Sequence, residues 1–244
     1  MIKRTQYLDR VRPFLEKPVI KVITGIRRCG KSTLMVQIMD ELKESGVMPD
    51  QIIYINKELY EFDRIKDYHQ LHEYVSAKTV KGKYPVYVFI DEVQEIDKWE
   101  MAVNSLFAEK KYDLFISGSN ALLFSSELST LLSGRYVEFR MNTFNYNEFR
   151  EIAANNQKIP EKSDLFFSFL KYGGLPGVHF LDWDDTVIRQ YLHSVFSTIL
   201  LKDIVMRNNI RDTALLEKLV GYLIDNCGNI TSAKSLSDYL KAQY

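Results

Sequence analysis

The segment Gly25-Ile-Arg-Arg-Cys-Gly-Lys-Ser32 limits the possible folds of this chain more than any other feature. It matches a phosphate-binding loop, in which backbone N–H groups and the start of the next helix surround phosphate oxygens. The β-branched run 19–23 precedes the loop, and a helical pattern begins at Lys31, which is the context that such a loop needs. We expect Lys31 to reach the β- and γ-phosphates of ATP, and the Ser32 hydroxyl to ligate Mg²⁺. The residues expected to bind the nucleotide are Gly25, Ile26, Arg27, Arg28, Cys29, Gly30, Lys31, Ser32 and Thr33.

A second chemical signal stands at the end of another apolar run. Val86-Tyr-Val-Phe-Ile90 leads directly into Asp91 and Glu92. An aspartate at the tip of such a strand is placed to hold Mg²⁺, and the following glutamate is placed to orient or activate an attacking water. An acidic pair after a strand can also be a helix cap. A second carboxylate argues against a small-molecule kinase, which needs no base to activate water.

Strand and helix patterns alternate through the first part of the chain. Short β-branched or aromatic runs predict five strands, near residues 19–23, 52–55, 86–90, 113–116 and 136–140. Helical patterns separate them, and in the first of these Leu34, Ile38 and Leu42 share one face. Alternation of this kind predicts an α/β fold: a P-loop core with a five-stranded parallel sheet and helices on both faces.

The fourth strand ends in a polar tip, Ser117-Gly-Ser-Asn120. Ligands of parallel sheets bind at the carboxyl ends of the strands, so Ser119 or Asn120 is expected to contact the γ-phosphate and the attacking water. A plain Ser/Asn helix cap is the alternative interpretation.

An arginine, Arg135, stands between a predicted helix and the fifth strand. At such a position it could project toward a neighbouring subunit and neutralise charge on the γ-phosphate during hydrolysis. A surface arginine paired with a carboxylate is the alternative.

Cys29 carries a separate prediction. It lies beside Arg28 and Lys31 among the amides of the loop, an environment that favours a thiolate. Alkylation of Cys29 is therefore expected to block nucleotide binding, and ATP is expected to protect it.

Composition limits the classes of protein that remain. The 244 residues carry 32 basic and 32 acidic groups, which excludes a uniformly basic protein that coats nucleic acid. Residues 1–33 are locally basic, with nine lysines and arginines against Asp9 and Glu16, or +7. That stretch could bind a polyanion or pair with acidic groups of its own chain. Two cysteines, no apolar leader at the N-terminus and no apolar run near ~18 residues predict a cytoplasmic protein without a membrane segment.

These segments together resemble the AAA+ superfamily. More narrowly, they resemble a bacterial and archaeal group of predicted ATPases related to signal-transducing NTPases and origin-recognition ATPases. The matching segments, which span roughly residues 15–180, are 25–32, 90–94, 117–120, 132–135 and 173–176. In that group a Gly-x-Pro turn packs near the adenine, so the resemblance implies this role for Gly174 and Pro176.

The resemblance also extends the domain assignment. Strand patterns stop near residue 144, which separates a core over 1–143 from a helical lid over 144–211. Members of the group continue into a winged helix, and residues 230–240 resemble its opening, so 212–244 is assigned as a truncated winged-helix-like segment. The helix that would read DNA is missing from this segment, which predicts no sequence-specific DNA binding by the chain.

The sequence thus predicts an ATPase of the AAA+ type that hydrolyses MgATP, slowly when isolated. We also expect it to assemble with copies of itself. Two alternatives stay open. One is a nucleotide-gated binding module with little turnover, and the other is an ATPase stimulated by nucleic acid through the basic N-terminal stretch.

Overall fold

The structure is a computed structural model that describes residues 2–80, 82–118, 130–154, 164–199, 204–205 and 210–242. The chain divides into two compact units, Met1–Leu192 and His193–Tyr244. The strands of the first unit are β1 (Ile20–Gly25), β2 (Ile52–Asn56), β3 (Val86–Asp91), β4 (Tyr112–Gly118) and β5 (Tyr136–Met141). All five coincide with the strands predicted from the sequence.

The strands form one parallel sheet in the order β2-β3-β4-β1-β5. The predicted α/β fold with a five-stranded parallel sheet is therefore confirmed. Since β4 lies between β1 and β3, the residues that follow these three strands share one edge of the sheet. This edge, called the carboxyl edge below, brings together three segments that are far apart in the sequence.

Helices pack against the sheet, and further helices come after its last strand in the sequence. Those of the first unit are α1 (Thr5–Val11), α2 (Lys31–Glu44), α3 (Tyr68–Lys78), α4 (Trp99–Ala108), α5 (Tyr146–Ala154) and α6 (Leu165–Tyr172). Helix α7 (Asp185–Thr198) runs across the division between the units, and α8 (Thr213–Asp225) and α9 (Ala233–Ala242) belong to the second unit. No helix of the described residues has both the length and the apolar character needed to cross a membrane.

Alternation along the strands builds a core on each face of the sheet. Val86, Val88 and Ile90 of β3 pack on one face with α3 and α4, whereas Tyr87 and Phe89 point to the other face, with α1 and α2. Because β3 is covered on both sides, its sequence is continuously apolar. Asp91 is the last residue of the strand and its first charged one, so the packing of β3 fixes the position of the Asp91 carboxylate.

The described residues of the second unit contain the end of α7 and the helices α8 and α9. The Asp212 carboxylate caps α8 by accepting a hydrogen bond of 2.8 Å from the Leu215 N–H. Tyr222 of α8 and Tyr239 of α9 pack with ring centroids 4.7 Å apart. The winged-helix resemblance and the boundaries 1–143, 144–211 and 212–244 stay predictions.

An aromatic cluster packs together the part of the first unit that follows β5, which is called the helical region below. His179 is buried, with its ring 4.6 Å from Phe149, 5.9 Å from Phe144 and 6.1 Å from Trp183. Burial in this apolar environment lowers the pKa of His179 to about 4.

We expect this histidine to make stability depend on pH. The unfolded chain binds a proton at His179 below about pH 6.5 and the folded chain only below about pH 4, so its contribution is complete above pH 6.5 and is lost as the pH falls. The slope is at most about 1.4 kcal/mol per pH unit. Urea unfolding from pH 7 to 4 should show this extra loss in the wild type and not in His179→Leu. His69→Leu, at an exposed histidine, should behave as the wild type; equal slopes in all three proteins would contradict the assignment.

Candidate functional site

The phosphate-loop motif lies between β1 and α2, where the sequence places it. The chain turns twice through left-handed conformations, at Arg28 (φ 64°) and at Gly30 (φ 103°), the residue that caps α2. Glycine adopts this conformation freely, whereas at Arg28 it carries a cost of about 1 kcal/mol. Ile26, Arg27 and Cys29 complete the loop, while Lys31, Ser32 and Thr33 form the first turn of α2. The loop therefore presents the start of a helix to the carboxyl edge.

Lys31 points back into the loop. Its side chain is 4% exposed, and its ammonium donates to the carbonyl oxygens of Gly25 at 3.2 Å and Ile26 at 3.4 Å. The same nitrogen lies 3.8 Å from Oε1 of Glu92. The structure thus brings together the loop lysine and the acidic end of β3, which are about sixty residues apart in the sequence.

Asp91 is fully buried at the tip of β3. Its carboxylate accepts one hydrogen bond from the hydroxyl of Ser117, at the end of β4, and another of 3.2 Å from the hydroxyl of Tyr54 on β2. Burial and the neighbouring Asp91 raise the pKa of Tyr54, so its hydroxyl stays a donor. Three adjacent strands therefore fix the orientation of one carboxylate. Tyr54 and Ser117 are site residues that sequence reasoning did not select, although Ser117 belongs to the polar tip of β4.

Glu92 is the first residue beyond β3 and is also buried. Its backbone is left-handed, with φ 56°, and its N–H donates to the Ser117 hydroxyl at 3.4 Å. The side-chain amide of Gln94 donates to Oε2 of Glu92, while Oε1 faces Lys31. The turn thus directs the Glu92 carboxylate to the phosphate loop. Gln94 was not foreseen as a site residue.

The donors at this edge suit a magnesium ion that is bound together with phosphate. Mg²⁺ in nucleotide sites takes one or two protein oxygens and fills the other positions with phosphate oxygens and water. The Ser32 hydroxyl and the Asp91 carboxylate are such oxygens. Among the described residues, no cluster of three or more His, Cys, Asp or Glu could hold a metal by itself.

The Gly-x-Pro turn, formed by Gly174 and Pro176, packs against the segment that follows β5. The Phe144 N–H donates to the Gly174 carbonyl oxygen at 2.7 Å, and a Cβ at position 174 would lie 2.0 Å from the Phe144 carbonyl oxygen. Only glycine fits this approach. Pro176 begins a 3₁₀ turn, Pro176–Phe180. A cavity of about 220 Å³, between residues 25–26 and 140–143, adjoins the start of the phosphate loop.

Arg4 contacts the phosphate loop from the N-terminal segment, and sequence reasoning did not select it as a site residue. It is 2% exposed, and its guanidinium donates to the carbonyl oxygens of Cys29 at 3.4 Å and Asn142 at 3.1 Å. Its Nε lies 2.8 Å from a carboxylate oxygen of Glu148. One arginine of the N-terminal segment therefore joins the phosphate loop, the end of β5 and helix α5.

The expectation of a Cys29 thiolate is wrong. The side chain is fully buried in the core formed with Leu34, Phe89 and Met141, and burial raises the pKa of the thiol. Lys31 and Arg4 favour the thiolate but do not outweigh desolvation. The backbone of Cys29 therefore belongs to the phosphate loop, whereas its sulfur packs in the core.

We expect the two cysteines to differ strongly in their reaction with a thiol reagent. Cys227 is exposed and should react at once, whereas Cys29 should react at the slow rate of local opening. Mass spectrometry of alkylated wild type and Cys227→Ser separates the two rates. Labelling of native Cys29 as fast as Cys227 would contradict this burial.

Arg135 lies far from the phosphate loop of its own chain. It immediately precedes β5, and its carbonyl oxygen accepts a hydrogen bond of 2.9 Å from Ile20, at the opposite end of β1 from the loop. The length of β1 separates the two by about 15 Å. Arg135 is exposed, with its guanidinium 6.0 Å from the Phe107 ring. Ser119 and Asn120, the predicted contacts of the γ-phosphate, lie outside the described residues.

The comparisons with known proteins identify the family. The model of a family described as an AAA domain matches residues 17–150, which contain the phosphate loop, the acidic end of β3 and the whole sheet. The chain therefore belongs to this AAA domain family of P-loop ATPases.

Two curated relatives and one solved structure are also similar to this chain. An uncharacterized protein of Haemophilus influenzae is 34% identical over the whole chain, and one of Methanocaldococcus jannaschii is 31% identical over 91% of it. The chain spans 60% and 50% of the lengths of these two relatives. A Walker-type ATPase of Pyrococcus abyssi shares the fold, with a TM-score of 0.62 at 17% identity over 99% of this chain and 89% of that one.

Proposed function

We propose that this chain binds MgATP at the carboxyl edge of its sheet and hydrolyses it to ADP and phosphate. The observation that carries the proposal is the 3.8 Å approach of Lys31 to Glu92, beside the Asp91–Ser117 hydrogen bond. A lysine that holds phosphate, a carboxylate for the metal and a second carboxylate for water are the parts that phosphoryl transfer to water requires.

Each group has a defined task in this proposal. The loop amides and Lys31 hold the β- and γ-phosphates, and Ser32 and Asp91 hold Mg²⁺, which neutralises phosphate charge when it is bound. Glu92 orients the attacking water and accepts its proton, and the hydrogen bond from Gln94 fixes the direction of its carboxylate. Ser119 and Asn120 contact the γ-phosphate from the end of β4, and Gly174 and Pro176 lie near the adenine.

Assembly with copies of itself completes the proposed site. Arg135 is too far along β1 to reach phosphate in its own loop, so it contributes to hydrolysis by contacting ATP in a second copy. The free thiols at Cys29 and Cys227 fit a reducing cytoplasm.

Binding of a fluorescent ATP analogue to wild type, Lys31→Ala and Lys43→Ala tests the nucleotide site. Lys43 lies exposed on the last turn of the same helix, beside Asp40, and serves as the matched control. Loss of one charge-assisted hydrogen bond is expected to weaken binding about 10- to 100-fold in Lys31→Ala, with Lys43→Ala unchanged. Equal affinity in all three proteins would contradict the proposed site.

A second candidate is a nucleotide-gated switch with little turnover. The close packing of Gly174 on Phe144 favours it, because the helical region there touches the segment that leads away from the site. Normal ATP binding without phosphate release would distinguish this switch from an ATPase.

The third candidate, stimulation by nucleic acid, has weaker support. At least four cations of the basic stretch 1–33 are paired within the chain: Lys3 and Arg12 with Glu41, Arg4 with Glu148, and Lys21 with Asp113. Three carboxylates outside the stretch, Glu41, Glu148 and Asp113, thus offset part of the +7 charge.

A further inference from the structure

One side-chain contact joins the phosphate loop to helix α7. The guanidinium of Arg28 lies over the ring of Tyr191, 5.5 Å from its centroid, within the range of a cation–π interaction. Arg28 is exposed in the middle of the loop, in the left-handed conformation described above, and Tyr191 is partly buried. An arginine that belongs to the phosphate cradle is thus engaged by an aromatic ring of the helical region.

Tyr191 is itself locked to the turn that follows Pro176. A Cβ at Gly177 would lie 1.9 Å from the Tyr191 hydroxyl oxygen, so the hydroxyl occupies space that exists only because residue 177 is glycine. The ring therefore contacts both the turn and Arg28.

We propose that the Arg28–Tyr191 contact links occupancy of the phosphate loop to the helical region: bound phosphate draws the guanidinium off the ring and releases α7. This inference rests on the proposed nucleotide site. In this proposal the guanidinium gives up its contact with the ring when it hydrogen-bonds to phosphate in the cradle. A charge-assisted hydrogen bond to phosphate is stronger than an exposed cation–π contact, so the phosphate wins the competition. The ring is then a competitor of the nucleotide for Arg28.

The competition predicts that removal of the ring strengthens nucleotide binding. Removal of the ring in Tyr191→Leu frees Arg28 and should tighten MgADP binding by about two- to fivefold, the free energy of an exposed cation–π contact. Tyr191→Phe keeps the ring and should bind MgADP as the wild type does. A purely architectural tyrosine would, when removed, leave the affinity unchanged or weaken it.

A double-mutant cycle tests the link, with MgADP titrated into wild type, Tyr191→Leu, Arg28→Gln and the double variant. Arg28→Gln should bind more weakly, and Tyr191→Leu should have no further effect in that background. Equal tightening with and without Arg28, or weaker binding by Tyr191→Leu in the presence of Arg28, would overturn the link. If nucleotide binding by the wild type requires Lys31 but the cycle shows no coupling between Arg28 and Tyr191, only the link is refuted. If the wild type binds no nucleotide, the proposed function and the link are both refuted.

Fluorescence gives a second measurement of the same link. Trp99 and Trp183 are the two tryptophans of the chain, and Trp183 packs with Tyr172 and His179 in the helical region. In a Trp99→Phe background, MgADP should change the Trp183 emission, and Tyr191→Leu should suppress the change at saturating nucleotide. A full response in Tyr191→Leu would overturn the link even if that variant is less stable.

Discussion

Replacement of Arg135 by alanine is expected to lower MgATP turnover per chain by about 1,000-fold, with nucleotide binding unchanged. The arginine lies at the opposite end of β1 from its own phosphate loop, and in the proposed function its positive charge serves ATP held by a second copy. Loss of that charge removes stabilisation of the γ-phosphate during transfer and leaves the binding loop intact. Steady-state phosphate release and nucleotide affinity separate the two effects, and Arg64→Ala, at another exposed arginine, is the control.

Mixing experiments test whether the arginine acts between chains. When Arg135→Ala is mixed with Glu92→Gln, an intact loop and Glu92 of the first variant can face an intact Arg135 of the second. The mixture should recover turnover that neither variant shows alone. Loss of turnover in Arg135→Ala that no mixture restores would mean that the arginine acts within its own chain or only stabilises the fold.

Replacement of Glu92 by glutamine is the second change for which we expect a large loss of turnover. Glutamine keeps the size of the side chain but replaces one acceptor oxygen with a donor NH2 group and cannot take a proton from water, so turnover should fall about 100- to 10,000-fold. ATP binding should persist, because Lys31 and the loop amides are unchanged. Glu95→Gln, at an exposed carboxylate three residues on, is the matched control for phosphate release. Turnover in Glu92→Gln equal to that of the control would remove Glu92 from the proposed mechanism.

Much of the fold could be predicted because it rests on local patterns. The apolar runs at β1 and β3 are strands covered on both faces, and the face made by Leu34, Ile38 and Leu42 is buried as its period indicates. The sequence also placed Lys31, Asp91 and Glu92 correctly at one edge, since parallel strands bring their carboxyl ends together. Their catalytic roles stay predictions.

The remaining site features depend on tertiary packing that no local pattern reveals. Arg4 reaches the loop only because α1 folds beneath it, and Tyr54 meets Asp91 only because β2 pairs with β3. The mistaken expectation at Cys29 has a similar cause: the neighbouring cations are evident in the sequence, but the direction of the sulfur, into the core, is set by the turn of the loop.

Phosphate release from MgATP, measured over a wide range of protein concentrations for wild type and Glu92→Gln, tests the central claim most directly. An ATPase completed by Arg135 of a second copy predicts a rate that rises more steeply than the protein concentration, and that is lost in Glu92→Gln at every concentration. Release that is strictly proportional to protein concentration, or absent despite ATP binding that requires Lys31, would contradict the account.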